Sequence, residues 1–171
     1  MALTSGEHDR YILHLNHALA MEAALIDHWD KRAAAAPHAH SRDMLLQHRE
    51  ESREHARMVR GIIQELSGEP TTTKAVVQPP ITPGILGKVM SALEGEKSDH
   101  LLAEGLADYA VENYEAARYS SLALIARNLG FPEHASQYDR IRQQEQKMAE
   151  FLTTAQAETI REAFPPLSSA A

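Results

Sequence analysis

The sequence predicts an all-α fold, a four-helix bundle with one long crossover between helices two and three. Three observations lead there. Proline leaves four long stretches unbroken, and apolar residues recur within them at spacings of three and four. No strand-like alternation of useful length occurs. Composition agrees, since Ala, Leu, Glu, Gln and Arg dominate while aromatics make up only 5%, the balance of a helix former.

The first stretch, Thr4 to about Ala36, opens on Thr4-Ser5-Gly6-Glu7. This has the form of a capping box, in which hydroxyl and carboxylate satisfy each other's backbone N–H groups. Its apolar stripe is Ile12, Leu15, Leu19, Ile26 and Trp29. Pro37 interrupts, and Ser41 offers an N-cap for a second helix from Arg42 to Leu66, with Met44, Met58 and Ile62 on its stripe. Ser67-Gly68-Glu69-Pro70 ends it, with Gly68 suited to a left-handed C-cap. Glu69 to about Gly84, rich in threonine and proline, reads as an extended connector, followed by a short helix from Ile85 to Leu93.

The third long helix covers Lys97 to Leu129, with Leu102, Tyr109, Ala116 and Ala123 on its stripe, flanked by Val111 and Leu122, and stops at Gly130. Pro132, suited to a first turn, opens the fourth. That helix carries Tyr138, Ile141, Met148 and Leu152 and ends before Pro165 and Pro166. The bundle is thus expected to span residues 1–166, with 167–171 a disordered tail. Short loops join helices one to two and three to four, so each pair is antiparallel. The roughly 30 residues between two and three suffice to start the third helix parallel to the second. That is the ferritin-like arrangement rather than a simple up-and-down bundle.

The chain's 171 residues suit one domain. Seventeen Lys and Arg against 24 Asp and Glu give a net charge of −7, which argues against nucleic acid as a partner. The absence of cysteine excludes a disulfide scaffold, a thiolate metal site and a cysteine nucleophile. No apolar run approaches the ~18–20 residues of a membrane span, and Met1 to Arg10 lacks the pattern of a signal peptide. A cytoplasmic protein with no membrane partner is the expectation. No nucleophile elbow, phosphate loop or dinucleotide fingerprint occurs.

Each core stripe carries an acidic residue near its middle. Glu22 falls on the inner face of helix one, Glu51 and His55 on that of helix two, Glu112 with Glu115 on helix three, and Glu145 on helix four. At about 1.5 Å per residue all six reach a similar height in the bundle. Five carboxylates among apolar side chains would repel and force one another to protonate. Two divalent cations would nearly neutralise them. Oxygen-rich ligation with little imidazole favours iron, or manganese, over a structural zinc site. The bland alternative for any one of these residues is a misjudged helix face whose carboxylate reaches water.

Glu112-Asn113-Tyr114-Glu115-Ala116-Ala117-Arg118-Tyr119, with Leu122 through Gly130, resembles the third helix of the YciE/YciF family of ferritin-like proteins. His48 to His55 resembles their second helix and Leu19-Ala20-Met21-Glu22 their first. The resemblance implies a rubrerythrin-like dimetal centre, a homodimer and a role in stress responses. Carried over by position, Glu22, Glu51, His55, Glu112, Glu115 and Glu145 become its metal ligands. One departure stands out. Dimetal proteins of this kind place a histidine three residues after a glutamate on two helices, whereas here Glu51 and His55 are four apart and Glu145 has no histidine after it. One metal would be poorer in nitrogen than the other, with His48 as a substitute ligand or a supporting residue.

Tyr109 and Tyr119 lie a turn from Glu112 and Glu115, placed either to hydrogen-bond the carboxylates and carry an oxidising equivalent or simply to fill the core. The other eight histidines, His134 among them, read as solvated. The leading function is a di-iron protein that reacts with O2 or hydrogen peroxide. With no cysteine for a rubredoxin-like unit, its electron donor would be separate. An iron-storage subunit and a non-catalytic interaction bundle are the rivals.

Overall fold

Helices form where the proline-free stretches predict them. The computed structural model describes residues 4–72 and 97–164. Over them run α1 (Ser5–Ala35), α2 (Ala39–Glu65), α3 (Lys97–Asn128) and α4 (Pro132–Ala163), and no strand occurs among the described residues. The short helix expected over Ile85 to Leu93, and the tail from residue 167, lie outside them.

The capping box forms as the sequence implies, with Glu7 N–H donating to Thr4 Oγ1 at 3.3 Å and Thr4 N–H to Glu7 Oε2 at 3.0 Å. Helix α2 starts earlier than expected. His38 occupies its N-cap position, which leaves Ser41 inside the first turn rather than capping it.

The end of α2 corrects a second expectation. Gly68 N–H donates to the Ile63 carbonyl at 2.8 Å and Ser67 N–H to that of Gln64 at 2.9 Å, the paired bonds of a Schellman motif. The left-handed residue is Ser67, with φ at 58°. Gly68 is needed for a different reason, since a Cβ there would stand 2.8 Å from Ile12 Cδ1 and 3.0 Å from Ile63 Cγ2. Replacing Ser67→Gly is expected to stabilise the fold by about 1 kcal/mol by relieving the left-handed side chain, whereas Gly68→Ala lowers the melting temperature. Thermal denaturation of the two variants checks both signs, and a destabilised Ser67→Gly would contradict the backbone argument.

Interhelix bonds set the topology. Along α1, His14, His28 and Arg32 meet Arg118, Asp108 and Asp108 of α3 in that order, so α1 and α3 run antiparallel. The three-residue link Ala36 to His38 makes α1 and α2 antiparallel as well. Helices α2 and α3 are therefore parallel, as the single crossover requires. His38 approaches Glu162, and Glu65 approaches His134, which makes α4 antiparallel to α2.

The two hairpins, α1 with α2 and α3 with α4, pack closely within themselves and more sparsely across the seam between them. Buried Tyr11, Leu15, Leu19, Trp29, Ile63, Tyr119, Leu122, Tyr138 and Ile141 fill that seam. At one end Asp108, itself buried, accepts from Arg32 Nε at 2.6 Å and pairs with His28 Nε2 at 2.8 Å.

Candidate metal centre

Halfway along the seam the apolar packing gives way to charge. Glu22, Glu112, Glu115 and Glu145 are each 0% exposed, with His48 and His55 at 1%. They come from all four helices, because each sits on the face its helix turns inward. On α2 that face is Leu45, His48, Ser52, His55, Val59 and Ile62, which puts the two histidines two turns apart on one line.

The six side chains form two groups. One ligand atom from each of His48, Glu112, Glu115 and Glu145 lies within 4.8 Å of the others, and the same holds for Glu22, His55 and Glu145. Glu145 belongs to both. His48 Nε2 stands 3.1 Å from Glu112 Oε1 and 3.5 Å from Glu145 Oε2. His55 Nδ1 stands 3.0 Å from Glu145 Oε1 and 3.5 Å from Glu22 Oε1.

The outer nitrogen of each ring is held from behind. His48 Nδ1 faces Glu51 Oε2 at 3.3 Å, and His55 Nε2 faces Gln144 Oε1 at 3.1 Å. A metal-bound imidazole is oriented in just this way, its second N–H given to a carboxylate or carbonyl. Several inner carboxylate oxygens have no hydrogen-bond partner, among them both of Glu115, Glu112 Oε2 and Glu22 Oε2. Buried acceptors are nearly always satisfied. A shared cation on each group would satisfy these, so the residues fit a dimetal centre.

Electrostatics points the same way. Burial pushes the Glu112 carboxyl up to about 8, against the partial relief of His48. Burial and the charges of Glu145, Glu22 and Glu112 hold Glu115 well above the usual carboxylate range. Burial also raises Glu22, although His55 opposes it. Burial alone would lower both histidines, but the neighbouring carboxylates outweigh it and raise His55 to about 10 and His48 well above its ordinary value. Protein groups alone therefore hold this cluster only by retaining protons.

Of the six residues expected to ligate, five converge. Glu51 does not. Its side chain is 25% exposed and bonds His48 and Gln47 instead, and the His48 bond holds its carboxyl below the ordinary range. His48, expected as a substitute or supporting residue, enters the first group directly. Each group thus has one imidazole, and the nitrogen imbalance expected from the missing α4 histidine does not arise, because α2 contributes both rings.

Tyr119 is fully buried and donates to Glu22 Oε1 at 2.5 Å. Tyr109 is 40% exposed on the outer face of α3, so its expected place beside the carboxylates is wrong. His134, expected in solvent, is buried. A groove of about 220 Å³ between α2 and α4, lined by Met44, Gln47, Glu51, Gln144 and Lys147, runs in to His48.

The family described as "Domain of unknown function (DUF892)" matches residues 6–164. The chain belongs to this family. No curated protein matches the sequence. Among solved structures, this DUF892 chain resembles a protein of Xanthomonas campestris with a TM-score of 0.69 and 29% identity, over 92% of this chain and 95% of that one. It also resembles a protein of Bacillus anthracis described as a ferritin-like, diiron-carboxylate protein, with a TM-score of 0.65 and 18% identity over 90% and 99% of the two chains. This DUF892 chain has the ferritin-like fold, with a buried His/Glu cluster compatible with a dimetal site. Among its described residues no helix is long and apolar enough to cross a membrane.

Proposed function

We propose that this protein is a carboxylate-bridged dimetal protein of the YciE/YciF kind, loaded with two iron ions in preference to manganese, that reduces hydrogen peroxide or O2 in the cytoplasm under stress. The observation that carries the reading is the membership of Glu145 in both ligand groups, the arrangement a bridging carboxylate requires. Bound there, a redox-active pair of ions would supply the electrons that the oxidant takes up.

The chain's own residues divide the remaining work. Glu22, Glu112, Glu115 and Glu145 offer the negative charge that favours a higher metal oxidation state, while Glu51 and Gln144 fix the two imidazoles. Trp29, packed edge-on against His48 at 5.2 Å, helps to keep water out. The α2–α4 groove, about 220 Å³ and lined in part by His48, has the volume to hold a diatomic or peroxide beside that ring. Electrons come from a separate donor. The outer face of α3, where Leu106, Tyr109, Asn113, Ala117, Ser121 and Leu124 are exposed without one charged side chain among them, supports pairing as a homodimer in a chain of net charge −7.

Elemental analysis after anaerobic ferrous reconstitution tests the reading. About two irons per chain are expected, and less than half an ion of any metal would overturn it. Glu145→Ala should drop the content below one. Glu51→Ala should weaken affinity about 10–100-fold while still reaching two at saturation. Light scattering separates a dimer from an iron-storage shell, whose mass would be about an order of magnitude larger.

A further inference from the structure

The dimetal reading needs electrons from outside, and the seam contains a line of side chains that leads outward from the centre. Tyr119 donates its phenolic proton to Glu22 Oε1 at 2.5 Å. Its ring centroid lies 6.2 Å from that of Tyr138. The Tyr138 and Tyr11 hydroxyls share a hydrogen bond of 2.9 Å, and the Tyr11 hydroxyl meets His134 Nδ1 at 3.3 Å. His134 Nε2 then lies 3.5 Å from Glu65 Oε2, a carboxylate on the surface. Phe131 stacks on both Tyr11 and His134, at 5.8 and 5.0 Å.

Three of the protein's five tyrosines are in this line, each at most 1% exposed. Packing alone would be served by phenylalanine, which has no hydroxyl to satisfy. Buried phenols that touch one another and begin on a candidate ligand do more than fill space. They are the protein side chains, with tryptophan, that one-electron oxidation reaches most readily, and each here has a hydrogen-bond partner placed to take the proton that oxidation releases.

We propose that Tyr119, Tyr138, Tyr11 and His134 form a relay that carries single electrons from a soluble one-electron reductant at the Glu65 end of the bundle to the metal centre. The proposal rests on the dimetal reading. Tyr119 loses one electron to the centre and shifts its proton along the hydrogen bond to Glu22, leaving a neutral tyrosyl radical. Tyr138 returns an electron to Tyr119, which takes its proton back from Glu22. Tyr138 passes its own proton to the Tyr11 oxygen as the Tyr11 proton moves to His134 Nδ1.

The Tyr138 radical then takes an electron and a proton from Tyr11. The reductant gives one electron to the Tyr11 radical, and the His134 imidazolium returns the proton. Every residue ends as it began, the reductant has lost one electron and the centre has gained one. Two passages supply the two electrons that hydrogen peroxide takes, with two protons from solvent, to become two waters.

The test uses full-length iron-loaded protein, mixed with hydrogen peroxide and freeze-quenched for electron paramagnetic resonance, with ascorbate as the probe reductant. Wild type is expected to show a tyrosyl radical that ascorbate removes. In Tyr138→Phe, at unchanged iron content, the radical should be confined to Tyr119 and its reduction by ascorbate should slow by about an order of magnitude or more. Tyr11→Phe, which keeps the ring and removes only the outer hydroxyl, serves as the second variant and should slow it likewise.

Iron-loaded wild type that consumes peroxide without any tyrosyl radical would overturn the relay while leaving the dimetal reading intact. So would variants whose radical ascorbate removes at the wild-type rate. A preparation that holds less than half an iron per chain overturns the dimetal reading, and the relay with it.

Discussion

Metal-free protein is expected to lose thermal stability as the pH rises from about 5 to about 8, and added manganous or ferrous ion to restore it most strongly at the upper end. The sign follows from the raised pKa values. Unfolded, Glu112 releases its proton near the ordinary 4.5, whereas folded it keeps it up to about 8. Between those values the folded state binds more protons than the unfolded one, so stability falls as pH rises. Glu115 and Glu22, raised in the same direction, add to the fall.

His55, raised from 6.5 to about 10, adds a contribution that is complete below 6.5 and is lost as pH rises through about 10. His48 acts in the same sense. A cation competes with all these protons, so its binding tightens over the range where the metal-free fold weakens. Melting curves at three pH values, with and without manganous ion, check this. A metal-free protein that grew more stable across the window would contradict the assignment of charge to the buried cluster.

Replacing Glu115→Leu should make metal-free protein more stable while costing it a cation. Neither oxygen of Glu115 has a hydrogen-bond partner, and the residue is fully buried between α3 and the other carboxylates. A leucine of comparable length removes an unpaired buried acid without opening a cavity. Replacement of buried ionic groups by apolar ones stabilises other proteins by about 1–4 kcal/mol, and for a chain of this size each kcal/mol raises Tm by about 2–4 °C. Metal content should fall from two per chain toward one, since Glu115 belongs to the group of His48, Glu112 and Glu145. Calorimetry of the metal-free variant decides the first point and elemental analysis the second. A lower Tm without metal would mean that Glu115 is held by favourable contacts rather than strained.

The four helices could be read from proline placement because a helix interior tolerates little else so poorly, and the crossover followed from the length of the link. The inner carboxylates could be read because charge at the middle of an apolar stripe has no cheap structural explanation. The faces were harder. On α2, Met44, Glu51 and Met58 keep the same spacing as Leu45, Ser52 and Val59, and the two sets share His48, His55 and Ile62. Fully buried Val59 and Ile63 were the signal that the face is turned toward the second set. Methionines are long enough to lie at its border, and Met44 and Met58 are half-buried there. The same small rotation carried Glu51 out of the ligand groups and Ser52 into the core. Tyr109 failed for a related reason, because Asp108 turns inward to meet Arg32 and His28, a partnership no local pattern on α3 discloses.

The close packing within each hairpin and the sparser seam between them bear on how the molecule is assembled. Each hairpin joins neighbours in the chain across a link of three residues, Ala36 to His38 or Leu129 to Phe131, so its contacts close small loops and form early. The seam closes a much longer loop, and Glu22, His48 and His55 on one hairpin stay hydrated until Glu112, Glu115 and Glu145 arrive on the other. Loss of water from the carboxylates is therefore expected to accompany the docking of the two hairpins. Helix content measures chains that have formed hairpins. Bound metal counts only those whose two halves have met.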